Sequence, residues 1–201
     1  MSNPELDPAT SNATNTDITT LHKIEDYHKL IENADNAMLV TRCESGALHS
    51  RAMSPCRPIE PTQVDLFFIA NHASHKFDEL KHDSNVNVSF YDQKTTGWAS
   101  VSGTAKVSQD KELIKKFWSP MITSFFGDLK DGKHDGSQND PRVCLIEVIP
   151  NEIRYWVSTS STISRTAEIA YGALTGKAKA PGEFRVISDA EIRHVRGLNE
   201  K

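Results

Sequence analysis

A run of apolar residues gives way to Asn71-His72-Ala73-Ser74-His75-Lys76-Phe77-Asp78-Glu79-Leu80, a stretch that opens as a helix should. At such a junction backbone N–H groups face outward and favour an anion. Ser74 adds a hydroxyl donor and Lys76 an ammonium at the same end. A second cation, Arg51, lies in Leu48-His49-Ser50-Arg51-Ala52-Met53, a strand-like stretch able to run beside the apolar one. Arg51 is flanked by small and apolar residues, an odd setting for an arginine that only meets water. The chemistry available to this set is the grip of one small phosphate-like anion by charge-assisted hydrogen bonds. The plainer alternative is two unrelated surface cations, and spacing alone leaves the two readings level.

Other constellations carry less. His72, His75 and Asp78 have the residue types of a metal site. They lack a nearby Cys or His to complete a zinc set, and solvated helix-end residues look the same. No G-x-S-x-G, P-loop or G-x-G-x-x-G occurs, so hydrolase, NTPase and Rossmann readings have no support. Cys56 sits in a Pro-flanked loop with no evident base. We therefore name no catalytic residue and no metal ligand.

The elements that must position the cations follow from periodicity. Leu21, Ile24, Tyr27 or His28, and Ile31 recur at helical spacing and predict a helix over about 18–34, capped by Asp17 or Thr19. Ala37–Cys43 and Ala47–Ser54 flank Glu44-Ser45-Gly46 and read as a hairpin. Val64–Ala70 reads as a buried strand, His75–His82 as a short helix, and Val86–Tyr91 as a half-buried strand. Trp98–Val107 is a further strand, with Gly103 marking a bulge. Asp110–Trp118 is helical, and Gly127–Pro141 is expected to be a mobile loop. Val143–Ile149 and Ile153–Val157 read as two strands broken by Pro150-Asn151. Ser164–Leu174 reads as a helix, and the rest as a charged extension with a short strand at Phe184–Ile187. The expected fold is mainly β with peripheral helices: a small antiparallel barrel of six or seven strands.

The chain has 201 residues, 37% hydrophobic and 25% charged. That is one domain of ordinary size with a real core. We expect a disordered tail over 1–17, a domain over 18–187 and a charged tail over 188–201. With 23 basic and 27 acidic residues, the net charge of −4 gives no electrostatic case for nucleic acid or anionic lipid. No apolar run approaches a membrane span, and the polar, acidic N-terminus predicts neither a secretory signal nor a transit peptide. Cys43, Cys56 and Cys144 are far apart and odd in number. They read as reduced thiols in a cytoplasmic protein.

Several pieces in order carry a resemblance: Thr41-Arg42 before a Gly turn, Ser50-Arg51-Ala52-Met53, Phe67-Phe68 before Ser74-His75-Lys76, and Trp98-Ala99-Ser100-Val101-Ser102-Gly103. Asp110–Pro120, Asp140-Pro141 and Tyr155-Trp156 follow. From about Tyr27 to Phe184 the chain resembles the pyridoxamine-phosphate-oxidase-like FMN-binding split barrels, in the branch of the general stress proteins and fungal blue-light-induced proteins.

The resemblance implies a homodimer with FMN bound between subunits. Arg51, Ser74 and Lys76 would then hold the phosphate, with His75 beside them. Backbone groups at Ser50, Ala52, Met53, Ile69 and Ala70 would meet the isoalloxazine edge. Trp98 would lie near the ring, and Trp156 would approach from the partner. Ala52 stands where the family usually has Pro, and Ile69-Ala70 lacks a Thr that commonly offers its hydroxyl. After Trp156 no Arg-x-His pair occurs, so a true pyridoxamine-phosphate oxidase is not expected. The implied activity is that of a stress-linked, flavin-dependent oxidoreductase. The alternatives are a flavin carrier or sensor without turnover, or the same barrel with FAD, a deazaflavin or haem.

Overall fold

The computed structural model describes residues 13–14, 17–158 and 182–199. Helix α1 (Thr20–Asn33) starts at Thr19, whose hydroxyl accepts from His22 N–H, and it buries Ile24, Tyr27, Leu30 and Ile31. Strands β1 (Ala37–Arg42) and β2 (Leu48–Met53) form the expected hairpin, in register from Ala37 opposite Met53 to Arg42 opposite Leu48. Its turn needs Gly46, whose φ of 87° is one that side chains disfavour.

Strand β3 (Leu66–Asn71) leads into helix α2 (Lys76–His82), then come β4 (Asn85–Tyr91) and β5 (Trp98–Ser108). Helix α3 (Lys111–Phe117) is capped by the Asp110 carboxylate, which accepts from Glu112 and Leu113 N–H groups. A 3-10 turn (Pro120–Ile122) and the short α4 (Thr123–Phe126) precede the long β6 (Val143–Ser158); β7 (Gly182–Ile187) and α5 (Asp189–Asn199) complete the order.

All pairings between these strands are antiparallel, in the order β2-β1-β4-β5-β6-β3, with β7 on the second half of β6. Seven strands and five α-helices among the described residues agree with the expected architecture. Among the described residues the path's two ends, β2 and β3, do not pair with each other, leaving a split; beyond β2 the chain reaches β3 where Cys56 N–H donates to Phe67 O at 2.7 Å. Helix α2 packs against β1, with Phe77 and Leu80 in the main core.

The main core joins the inner faces of the strands to α1 and α5. A smaller cluster, Ile114, Phe126, Val143 and Leu145, lies under α3 and α4.

Three expectations change at the level of elements. The strand break at Pro150-Asn151 is absent: β6 is continuous, and Asn151 is taken up by a register shift opposite Ser102/Gly103. Pro150 falls where β6 has left β3 and has not yet met β7. Its missing N–H therefore costs no ladder bond on that side. The loop after Gly127 is tied down. Arg142 donates to Phe126 O, Gly127 O and the buried Asp140 carboxylate, which also accepts from Gly136 N–H.

The charged extension contains α5, whose Ile192 and Val195 enter the core. Its Glu191 binds Lys23 Nζ at 2.8 Å and Thr20 Oγ at 2.9 Å. Arg185 of β7 pairs with Asp26 of α1 and with Glu183. Near the N-terminus, Ala13 is buried and Thr14 bridges Phe184. The helix expected over 164–174 lies outside the described residues.

Candidate functional site

The junction of β3 and α2 is where the sequence concentrates its anion chemistry. Asn71 turns the chain, its side-chain oxygen accepting from Ala73 N–H at 2.9 Å. Ser74 Oγ donates to Asn71 O at 2.9 Å and accepts from Lys76 Nζ at 2.5 Å. Phe77 and Leu80 anchor α2 in the core, so Lys76 is held with its ammonium over the Phe77 ring, 5.3 Å from the centroid. Burial, and then the nearby charge of Arg51, push the Lys76 pKa down. Cys144 and Glu79 act the other way. Cys144 Sγ in turn donates to Ala70 O at 3.2 Å.

Arg51 reaches this junction from β2. Its Nη2 donates to Glu79 Oε2 at 2.7 Å and its Nη1 to Thr41 Oγ, while Thr41 donates to the same carboxylate oxygen. Glu79 Oε1 meets His49 Nδ1 at 2.5 Å. Burial opposes the charge on Glu79, yet hydrogen bonds from His49, Thr41 and Arg51 bring its pKa down to about 2. The guanidinium has five N–H donors, and two are used here.

The structure thus brings Arg51, Ser74, Lys76 and the Ala70 backbone together. Among the described residues β2 pairs only with β1, and β3 only with β6. Backbone N–H and C=O groups along both strands therefore point off the sheet beside the split. Ser50 and Ala52 are exposed, whereas Met53 and Ile69 pack partly into the two cores. His75 does not join the cluster; its side chain is fully exposed and lies 4.0 Å from Asp78.

The tryptophans stand apart. Trp98 and Trp156 are direct cross-strand partners, and Trp98 packs on Phe184 with ring centroids 6.1 Å apart. Trp98 is an outer-face residue, since its neighbour Ala99 is buried on the inner face. Arg51 pairs with the fully buried Leu39 on the inner face. Three strand spacings, about 14 Å, also separate β2 from β5. In one chain the cations and the tryptophans serve different surfaces.

Sequence reasoning missed Glu79 and Thr41 as partners of Arg51, and His49 as a partner of Glu79. The sequence offers no signal that singles out Glu79 from Asp78 on this short charged helix.

The remaining chemical candidates are quiet. Burial pushes the Cys56 thiol up to about 11 and Cys144 to about 12, so neither is an activated nucleophile. Among the described residues no group of three or more His, Cys, Asp or Glu side chains could hold a metal.

Comparison with known proteins adds relatives. The family model described as pyridoxamine 5'-phosphate oxidase like matches residues 22–180. Protein bli-3 of Neurospora crassa is 36% identical over 195 residues, covering 96% of this chain and 93% of that protein. A Clostridium acetobutylicum structure, described as related to general stress protein 26, superposes with a TM-score of 0.60 at 14% identity, covering 87% of this chain and 99% of that one. The general stress FMN/FAD binding protein of Xanthomonas citri superposes at 0.57 and 18% identity, covering 70% of this chain and 92% of that one.

Proposed function

Since the chain belongs to the pyridoxamine 5'-phosphate oxidase-like family, we propose that it binds FMN and acts as a stress-linked flavin-dependent oxidoreductase. The observation that carries this reading is the cluster at the split. Two cations from β2 and α2 converge with the Ser74 hydroxyl, and Lys76 is held there against the cost of burial. Such a donor set fits a phosphoester, since the one carboxylate of Glu79 leaves the two cations with a positive charge in excess. Arg51, Lys76 and Ser74 hold the phosphate. Around Ser50, Ala52, Met53, Ile69 and Ala70, every second residue of the β2 and β3 edges turns its N–H and C=O off the sheet, and these groups meet a planar heterocycle. Bound flavin supplies the hydride and electron transfer, and these residues bind and orient it. His75 has no direct contact in this scheme.

Trp98 and Trp156 complete the site from a second copy, because one flavin at Arg51 cannot also reach the opposite sheet face. The outer face supports such an assembly, since it exposes Met38, Tyr91 and Trp98 beside Ser89 and Ser100. Dilution into the monomer range should then release flavin, by linkage of binding to assembly. Undiminished affinity in a monomer, measured by fluorescence alongside sedimentation, would remove the tryptophans from the site. Three free cysteines suit a reducing compartment such as the cytoplasm, and no described helix is long and apolar enough to cross a membrane.

A carrier or sensor without turnover is the second reading. It is favoured by the pairing of Glu79 with Arg51, His49 and Thr41, which leaves that carboxylate committed to binding rather than to proton transfer. The visible spectrum of the purified protein tests the cofactor, with an oxidised-flavin spectrum expected. Anaerobic bleaching by NADH or NADPH at a catalytically useful rate is expected of the oxidoreductase. Flavin that stays oxidised with both donors would favour the carrier.

A further inference from the structure

Glu79 stands one turn past Lys76 on α2 and reaches back to both strands of the β1–β2 hairpin. Its side chain is 11% exposed, whereas that of His49, on its far side, is 53% exposed. Titratable and charged groups face this carboxylate from two elements: Arg51 and His49 on β2, and Lys76 on α2 itself. Thr41 of β1 adds a hydroxyl. His49 in turn faces Glu79, Arg51 and Cys43.

The charges can be counted. With His49 neutral, Arg51, Lys76 and Glu79 leave the cluster one charge positive. A dianionic phosphoester turns it one charge negative. A proton on His49 restores neutrality.

We propose that a phosphoester arriving at Arg51 and Lys76 draws Arg51 away from Glu79 Oε2, and that His49, already bonded to Oε1, takes up a proton and balances that carboxylate's charge in place of Arg51. This rests on the phosphate-holding role given to Arg51 and Lys76 above. Glu79 and His49 are positioning residues. In the free protein Glu79 answers the charge of Arg51 while bonded to His49; on binding, His49 is left to carry the compensating charge.

The sign of the pH effect follows. The hydrogen bond from Glu79, and then its charge, raise the His49 pKa above the ordinary 6.5, while burial and the charge of Arg51 oppose the rise. When Arg51 turns to the phosphate that opposition weakens and a second anion comes near. His49 therefore binds its proton more tightly in the complex. A state that holds more protons is favoured as pH falls. Phosphoester affinity should thus decline as pH rises above about 7, where the FMN phosphate, with its second pKa of about 6, is already a dianion.

The test is titration calorimetry of full-length apo-protein with FMN and with riboflavin at pH 8, in buffers of different ionisation enthalpy. The expected result is net proton uptake on binding FMN and none on binding riboflavin. Between pH 7 and 9 the preference for FMN over riboflavin should fall about three- to tenfold, less than the full linkage because His49 is half in water. His49→Gln, a half-exposed position where the fold should survive, should keep FMN binding but lose both the uptake and the slope. Glu79→Gln should lose them as well.

FMN preference without proton uptake would overturn the proposal and leave the phosphate grip standing. Uptake that persists in His49→Gln would assign the proton to Lys76 and overturn it equally. Equal binding of FMN and riboflavin by the wild type would remove the grip itself, and the proposal with it.

Discussion

Arg51→Ala is expected to weaken FMN about ten- to a hundredfold while leaving riboflavin nearly unaffected. The magnitude follows from a charge-assisted contact of roughly 1.5–3 kcal/mol, and the selectivity from the phosphate that riboflavin lacks. Lys76→Ala should act in the same direction, but less, because an ammonium keeps more of its water than a guanidinium does. Arg51→Lys should rescue only in part. The guanidinium sends Nη1 to Thr41 and Nη2 to Glu79 and keeps further N–H donors for an anion, and a point charge cannot divide itself so. Fluorescence titration of both flavins into each variant measures this, with circular dichroism reporting the fold. Equal losses for the two flavins would mean that Arg51 serves the β1–β2–α2 junction and not the phosphate.

Gly103→Ala should be the most damaging conservative change in the sheet. A Cβ there would lie 2.2 Å from Ile149 O and 2.9 Å from Pro150 Cα, both backbone atoms of β6. Neither can move without breaking the register that shifts at this point. We expect a loss of about 3 kcal/mol, the upper range for overpacking. At about 2–4 °C per kcal/mol for a chain of this size, the melting temperature should fall about 6–12 °C. Gly197→Ala is the control, because α5 leaves open space at that position and a helix prefers alanine there. A Gly103→Ala protein that melts with the wild type would show that β5 and β6 do not approach so closely.

The Gly103 bulge was legible because a glycine inside an alternating strand has few other uses. Alternation also gave β4 and β5, and the Gly turn gave the β1–β2 hairpin. Two features were not legible, for definite reasons. Pro150 punctuates a strand in sequence, yet here it meets the interior stretch of β6 between its β3 and β7 pairings, where among the described residues β5 alone is the strand partner. Helix α5 is dominated by charge, and only Ile192 and Val195 of its described residues reach the core, too few to declare a stripe.

At the site, Arg51, Ser74 and Lys76 could be singled out because cations and a hydroxyl at a strand–helix junction imply an anion. Glu79 could not. On a short charged helix Asp78, Glu79 and Lys81 look alike. Only the packing of α2 against β1 turns Glu79 inward to Thr41 while Asp78 stays in water.

The length of β6 has a consequence for how the chain is made. Among the described residues β3 has no strand partner but the first half of β6, from Asn71 opposite Val143 to Leu66 opposite Val148. Synthesis proceeds from the N-terminus at roughly 5–20 residues per second, so Leu66–Asn71 waits several seconds on the ribosome before its partner exists. Strands β1, β2, β4 and β5 can pair in that interval, since each finds a neighbour upstream or close by. The segment Leu-Phe-Phe-Ile-Ala cannot, and it has the β-propensity and lack of charge that invite aggregation. The strand that lends Ile69 and Ala70 to the split is therefore the one the nascent chain leaves bare the longest, and the one a holding chaperone would have most reason to cover.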